Sequence, residues 1–170
     1  MACYHPISAW KSKKVNKETG KRSIVFSRSE AYVDMPVTIP CGQCIGCRLE
    51  KSRQWAIRCV HESKCHEDNI FVTLTYNNEN LPKDGSLCLA DLQKFMKRLR
   101  KKYGAGIRYF ACGEYGEKLK RPHYHVCIFG LNFPVRDEKG ERDKYLWSVN
   151  NGFKMYRSES LEKLWTLGNS

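Results

Sequence analysis

Long apolar runs are missing from this sequence. No stretch approaches the length that a bilayer-spanning helix needs, and the N-terminus Met1-Ala2-Cys3-Tyr4-His5-Pro6 lacks the form of a signal peptide, so a soluble intracellular protein is expected. Internal repeats and low-complexity segments are absent as well, which sets aside repeat architectures. Acid is in short supply: 18 Asp and Glu face 30 Lys and Arg, giving a net charge of +12 and a pI near 9.3. That imbalance on one small chain points to a polyanion, most simply nucleic acid, with a membrane surface as the competing partner. Cysteine, by contrast, is plentiful. Its odd count of nine argues against full disulfide pairing, and in a reducing compartment it implies metal ligands or buried thiols. A length of 170 residues suits a single domain with a real core.

The most informative stretch is Arg121-Pro122-His123-Tyr124-His125-Val126-Cys127-Ile128-Phe129. Val126, Ile128 and Phe129 favour a strand, and Pro122 suits its entry. Alternation then points His123 and His125 to one side, about 6.6 Å apart along the strand, close enough to share a divalent ion. Tyr124 and Val126 face the core side. Ile107 to Cys112 reads as a preceding strand that runs into a Gly113-Glu114-Tyr115-Gly116 turn, and the basic linker to Arg121 reads as a hairpin loop. Folding back across that loop sets Glu114 beside His123. Two imidazoles and one carboxylate leave coordination positions open, a set that suits Mn²⁺ or Mg²⁺ with a phosphate better than a closed zinc site. Two histidines merely decorating a sheet face is the plainer alternative.

A second cluster is Pro40-Cys41-Gly42-Gln43-Cys44-Ile45-Gly46-Cys47, with cysteines at Cys-x2-Cys-x2-Cys spacing. Its glycines let the backbone wrap an ion. Zinc needs four ligands; Cys3 is the first choice for the fourth and His5 the second. Cys59 lies about 18 Å away on a continuous helix, too far to share the ion. An iron–sulfur cluster is the rival, although the following Leu49-Glu50-Lys51 lacks the further cysteine and proline of the bacterial run.

Residues 8–40 look β-rich, with Ser23–Phe26 and Val33–Ile39 able to pair as a small sheet and Asn16–Lys21 as a turn. Gln43 to Cys65 has helical spacing: Ile45, Leu49, Ala56, Cys59 and Val60 form one face, and Arg48, Lys51, Trp55 and Arg58 another. That basic stripe with an indole suits either a nucleic-acid contact or an ordinary solvated face. Asn69 to Tyr76 is a strand, with Phe71, Thr73 and Thr75 on one side and Val72, Leu74 and Tyr76 on the other. A helix over Leu89 to Tyr103 carries an apolar stripe and six cations within nine residues, Lys94 to Lys102. Lys94, Lys97, Arg98 and Lys101, with Arg121 of the loop, are the candidate DNA contacts. Asn132 to Lys144 reads as a mobile loop, Gly152 to Arg157 as a strand, and Ser158 to Leu164 as a capped helix.

Several of these motifs, in this order, resemble the replication initiator proteins of gokushoviruses, small single-stranded DNA bacteriophages, whose initiators belong to the HUH endonuclease superfamily. The carriers are Phe71-Val72-Thr73-Leu74-Thr75-Tyr76, Gly113-Glu114-Tyr115-Gly116, Arg121-Pro122-His123-Tyr124-His125, the cysteine run and Lys97-Arg98-Leu99-Arg100, so the likeness spans about Cys3 to Gly168. The resemblance implies an α+β fold: an antiparallel sheet of about five strands flanked by helices, RNA-recognition-motif-like, over one domain 1–170 whose residues 1–47 form a zinc-binding extension. His123, His125 and Glu114 would hold the catalytic metal. A tyrosine would attack the scissile phosphate, bond to the 5′ phosphate and free a 3′ hydroxyl to prime rolling-circle replication. The partners implied are single-stranded DNA at an origin hairpin and host replication proteins, in the cytoplasm of a bacterial host.

One part of that family pattern is lacking. A Tyr-Val-x-Lys-Tyr-like run should follow the metal strand, yet Tyr145 and Tyr156 are the only tyrosines there and neither has the lysine in place. The expectation is therefore a truncated or divergent nuclease core that binds metal and DNA but nicks poorly or not at all. A non-catalytic, zinc-stabilised module for single-stranded nucleic acid is the alternative function. A structural zinc protein of a virus particle is a third, for which the dense basic helix would have no use.

Overall fold

A computed structural model describes residues 3–133 and 142–170, so residues 134–141 of the expected mobile loop lie outside the described residues. The chain divides into two compact units, Met1–Arg58 and Cys59–Ser170. The first holds a three-stranded antiparallel sheet of β1 (Ile7–Val15), β2 (Arg22–Val25) and β3 (Ala31–Ile39) in the order β2-β1-β3. The two segments expected to be partners do not pair with each other; both pair with β1, whose lysines mask its β character. Helix α1 (Ile45–Ser63) begins in this unit and ends in the second. Its expected apolar stripe is not a core face, since Ile45 and Leu49 are both more than 60% exposed. Buried apolar side chains of the first unit are few among the described residues: Ala9, Ala31 and Cys47.

The second unit is built on a four-stranded antiparallel sheet in the order β5-β6-β4-β9: β4 (Asn69–Tyr76), β5 (Arg108–Tyr115), β6 (Pro122–Phe129) and β9 (Gly168–Asn169). The expected count is about five; two further strands of this unit form a hairpin of their own. Val72, Leu74 and Tyr76 of β4 and Tyr124, Val126 and Ile128 of β6 point to one face, as alternation requires. Helix α2 (Leu89–Tyr103) buries Leu92, Phe95, Met96 and Leu99 against that face. Trp165, fully buried, completes the core edge-on to Tyr76 and Phe95 and donates its indole N–H to the Thr75 carbonyl at 2.8 Å. Gly113-Glu114-Tyr115 proves to be the end of β5 rather than a turn, so the connection to β6 is the short loop Gly116–Arg121.

The separate hairpin is β7 (Lys144–Asn150) with β8 (Phe153–Ser158). Asn151-Gly152 makes its turn with both residues at positive φ, the geometry that twists correctly into antiparallel strands. A one-turn helix, α3 (Glu159–Glu162), follows, capped by the Ser158 hydroxyl, which accepts from the Leu161 N–H. Buried Asp143 fastens the base of this hairpin. It accepts from the Ser158 hydroxyl and the Ser160 N–H, each at 2.7 Å. Burial works to raise its pKa, but those hydrogen bonds prevail and hold it below the ordinary 3.8. Asp143→Ala would leave both donors without an acceptor, and we expect a loss of about 2–3 kcal/mol at pH 7. Because the folded pKa is the lower one, this stabilisation is present above the unfolded value and fades as pH falls through the folded one. Thermal unfolding of the variant and the parent should therefore differ at pH 7 and converge under acid.

Candidate metal centre

The face of the sheet opposite α2 carries Thr73 and Thr75 of β4 directly across from His125 and His123 of β6, which in turn lie across from Cys112 and Glu114 of β5. Period-2 alternation thus places three potential ligands from two adjacent strands on one open face. Glu114 Oε2 lies 3.3 Å from His125 Nε2 and 3.9 Å from His123 Nε2. The imidazole rings stand nearly perpendicular, with centroids 4.9 Å apart. One ligand atom from each of the three side chains falls within 4.8 Å of the others. Both imidazoles are half-buried, whereas the Glu114 side chain is 57% exposed.

The far nitrogens of both rings are engaged. His123 Nδ1 lies 3.1 Å from the Arg121 carbonyl, and His125 Nδ1 lies 3.0 Å from the Thr73 hydroxyl. A carbonyl only accepts, so His123 Nδ1 carries the proton and Nε2 keeps its lone pair toward Glu114. Phe71 stacks on the His125 ring at 5.3 Å. These contacts orient the rings as outer-shell partners orient metal ligands. Two nitrogens and one carboxylate, with open space on the solvent side, fit a hard or borderline divalent ion that keeps exchangeable positions.

The cysteine cluster also closes. Cys3, Cys41, Cys44 and Cys47 bring their sulfurs within 4.8 Å of one another, so Cys3 is the fourth member and exposed His5 is not. Cys41 and Cys47 sulfurs are 4.0 Å apart, as are those of Cys44 and Cys3. Zinc–thiolate bonds of about 2.3 Å in a tetrahedron need sulfurs nearly that close, whereas an iron–sulfur cluster would spread them wider. Backbone N–H groups of Tyr4, Cys41, Cys44 and Cys47 point at sulfurs at 3.3–3.5 Å, and Gly42, at φ +77°, lets the loop turn them inward. Those donors favour thiolates. The N–H groups of Tyr4 and Cys47 bring the Cys44 pKa down to about 6, and the Cys41 N–H lowers that of Cys3. Burial, with competition from the neighbouring sulfurs, pushes the Cys47 thiol up to about 12. Such a four-sulfur cluster can hold a metal ion such as zinc.

The expected DNA contacts fare unevenly. Lys94, Lys97 and Lys101 are exposed on α2, but α2 covers the face of the sheet that the histidines do not share. Arg98 turns inward, its Nε donating to the Leu164 carbonyl at 2.7 Å. Arg121 likewise donates to the Tyr76 carbonyl at 2.8 Å. Both guanidiniums tie elements of the fold together instead of standing free for phosphate. A feature not foreseen from the sequence is a cleft of about 770 Å³ between the outer side of β4 and the β7–β8 hairpin, lined in part by Phe71, Thr73, Trp147, Phe153, Lys154 and Tyr156. The Asn150-Asn151-Gly152 run is the turn signal that could reveal its second wall.

Comparison with known proteins decides the family. The family model for ORF2-type replication-associated proteins matches residues 69–170, which contain the whole histidine–glutamate centre. The chain belongs to this family. Replication-associated protein VP4 of Bdellovibrio phage phiMH2K is 39% identical over 99% of the chain and 52% of its own length. Replication-associated protein ORF2 of Spiroplasma virus 4 is 34% identical over 99% of the chain and 54% of its own length. Replication-associated protein ORF4 of Chlamydia phage 1 is 35% identical over 76% of the chain and 33% of its own length. The resemblance to gokushovirus replication initiators is thereby borne out. The chain spans about half the length of the first two relatives. No solved structure matches it significantly. None of its described helices is long and apolar enough to cross a membrane.

Proposed function

We propose that this member of the replication-associated family carries the metal- and DNA-binding core of an HUH-type nickase that starts rolling-circle replication of a phage genome in the cytoplasm of its bacterial host. In this reading Cys59–Ser170 is the nuclease fold, related to RNA-recognition-motif-like sheets, and Met1–Arg58 is its zinc-binding extension. The substrate is single-stranded DNA at an origin hairpin, and host replication proteins act on the product.

One observation supports this above the others: Glu114, His123 and His125 converge on an open sheet face with both imidazoles already oriented from behind. An ion bound by them would polarise a phosphodiester and offset the charge that grows on its oxygens during attack. Thr73 and the Arg121 carbonyl fix the rings, while the solvent side of Glu114 leaves room for a phosphate. The nucleophile is unassigned. Tyr76 and Tyr124 are excluded by burial, which raises the pKa of both phenols.

Thr73→Val should weaken Mn²⁺ binding by about 10- to 100-fold, the usual range for losing such an outer partner, as read by titration. An unchanged affinity would deny Thr73 its orienting role. The function itself is tested with single-stranded DNA hairpins and Mn²⁺, comparing this chain with a version extended to the length of its relatives. The chain should bind and nick poorly, while the longer protein yields nicked DNA and a covalent protein–DNA adduct. A covalent adduct on any tyrosine of the 170 residues would refute the poor-nicking assignment. No nicking by the longer protein would leave the non-catalytic binding module.

A further inference from the structure

We infer that the cleft between β4 and the β7–β8 hairpin is a binding site for unpaired nucleobases, and that it, rather than the basic helix α2, seats the single strand next to the metal centre. This rests on the nickase reading for the identity of the strand, but its own observations are separate. Four aromatic side chains on the cleft are left largely to solvent: Phe71 is 67% exposed, Trp147 59%, Phe153 77% and Tyr156 50%. Exposing that much aromatic surface on one concave wall is unfavourable unless a partner covers it. Phosphates have counter-charges there. Lys144, Lys154 and Arg157 line the same cleft, and none of its described lining residues is acidic. Arg157 is held in place by Glu162, with Nε 2.6 Å from its carboxylate, and the Lys144 ammonium lies over the Tyr156 ring at 5.6 Å.

Flat π-surfaces interleaved with cations suit a single strand, whose bases stack while its backbone is neutralised. A duplex hides its base faces and has no use for the aromatics. The cleft is also continuous with the metal centre. Thr73 and Thr75 line it while facing His125 and His123 across the strands, and Phe71 lies in it while stacking on His125. A strand seated there passes its next phosphate over the histidine pair. The cations of α2 sit on the opposite face and can add only long-range attraction.

The test measures binding of an oligothymidylate and of an abasic oligonucleotide of equal length, with EDTA present, and separately titrates Mn²⁺. The parent chain should prefer the base-containing strand by about 10-fold or more, since each stacked base adds appreciably. Trp147→Ala with Phe153→Ala should erase that preference and leave Mn²⁺ affinity and thermal stability unchanged, because both side chains are at the surface. Trp147→Phe with Phe153→Tyr should retain it. Lys94→Ala with Lys97→Ala and Lys101→Ala should weaken both oligonucleotides alike. Equal binding of the two strands by the parent, or a preference that survives the double alanine variant, overturns the assignment. So does self-association of the parent that the double alanine variant abolishes, which would make a second copy the occupant. A base preference without any Mn²⁺ binding would sink the nickase reading and leave the cleft standing; Mn²⁺ binding without the preference would do the reverse.

Discussion

His123→Ala with His125→Ala abolishes Mn²⁺ binding while single-stranded DNA affinity stays within about threefold of the parent, because the phosphate-neutralising charges lie elsewhere. The two imidazoles supply two of the three ligands, and both are half-buried on a rigid central strand. The remaining Glu114 carboxylate is largely exposed and is no site alone. Glu114→Ala should therefore weaken binding less than either single histidine change. Neither histidine contributes to the core face, so the fold should survive, and circular dichroism of the double variant should overlay on the parent. Equal Mn²⁺ binding by parent and double variant would place the ion elsewhere. A collapse of DNA affinity with intact fold would mean that the imidazoles bind the strand directly.

Removing zinc unfolds the Met1–Arg58 unit and spares Cys59–Ser170. The first unit buries few apolar side chains, too little to offset the entropy of ordering three strands. Units of this size usually need a staple, and a structural zinc site supplies an apparent stabilisation of about 10–16 kcal/mol in small metal-folded peptides near neutral pH. Cys44→Ser or a strong chelator should cost one equivalent of zinc and the amide protection of β1–β3, read by hydrogen exchange, while β4–β6 stay protected. Acid should do the same. Cys44, at about 6, is already a thiolate at pH 7, whereas Cys47, at about 12, must give up a proton to the ion. Zinc affinity therefore falls as pH drops, and falls more steeply below pH 6, where Cys44 also takes a proton. Its depressed folded pKa gives the same sign for the metal-free state: that contribution is fully present above the usual 9.0 and lost as pH falls through 6. Retained β1–β3 protection after chelation would contradict the staple.

Local chemistry makes some elements legible from the sequence and hides others. The β4 strand and the α2 helix have the bounds expected of them because alternation and a 3.6-residue stripe are strong signals in both. The His-x-His pair and Glu114 follow from strand pairing alone, and the register Glu114↔His123 sets them side by side. Cys3 follows from zinc's need for four ligands. Longer-range placement is not legible. Nothing local shows that α2 packs behind the histidine face, so its lysines look like DNA contacts although the sheet keeps them from the metal. Arg98 and Arg121 look like their neighbours in sequence, and only tertiary contacts reveal that carbonyl oxygens claim them. β9 is two residues long and is a strand only because β4 is beside it.

The most direct measurement is electron–nuclear spectroscopy of Mn²⁺ bound to this chain with a single-stranded oligonucleotide present. The account predicts one bound ion with nitrogen couplings from two imidazoles and a phosphorus coupling from the DNA, all lost in His123→Ala with His125→Ala. A bound ion without nitrogen couplings, or with them but never a phosphorus coupling, would contradict a centre built to meet a DNA phosphate.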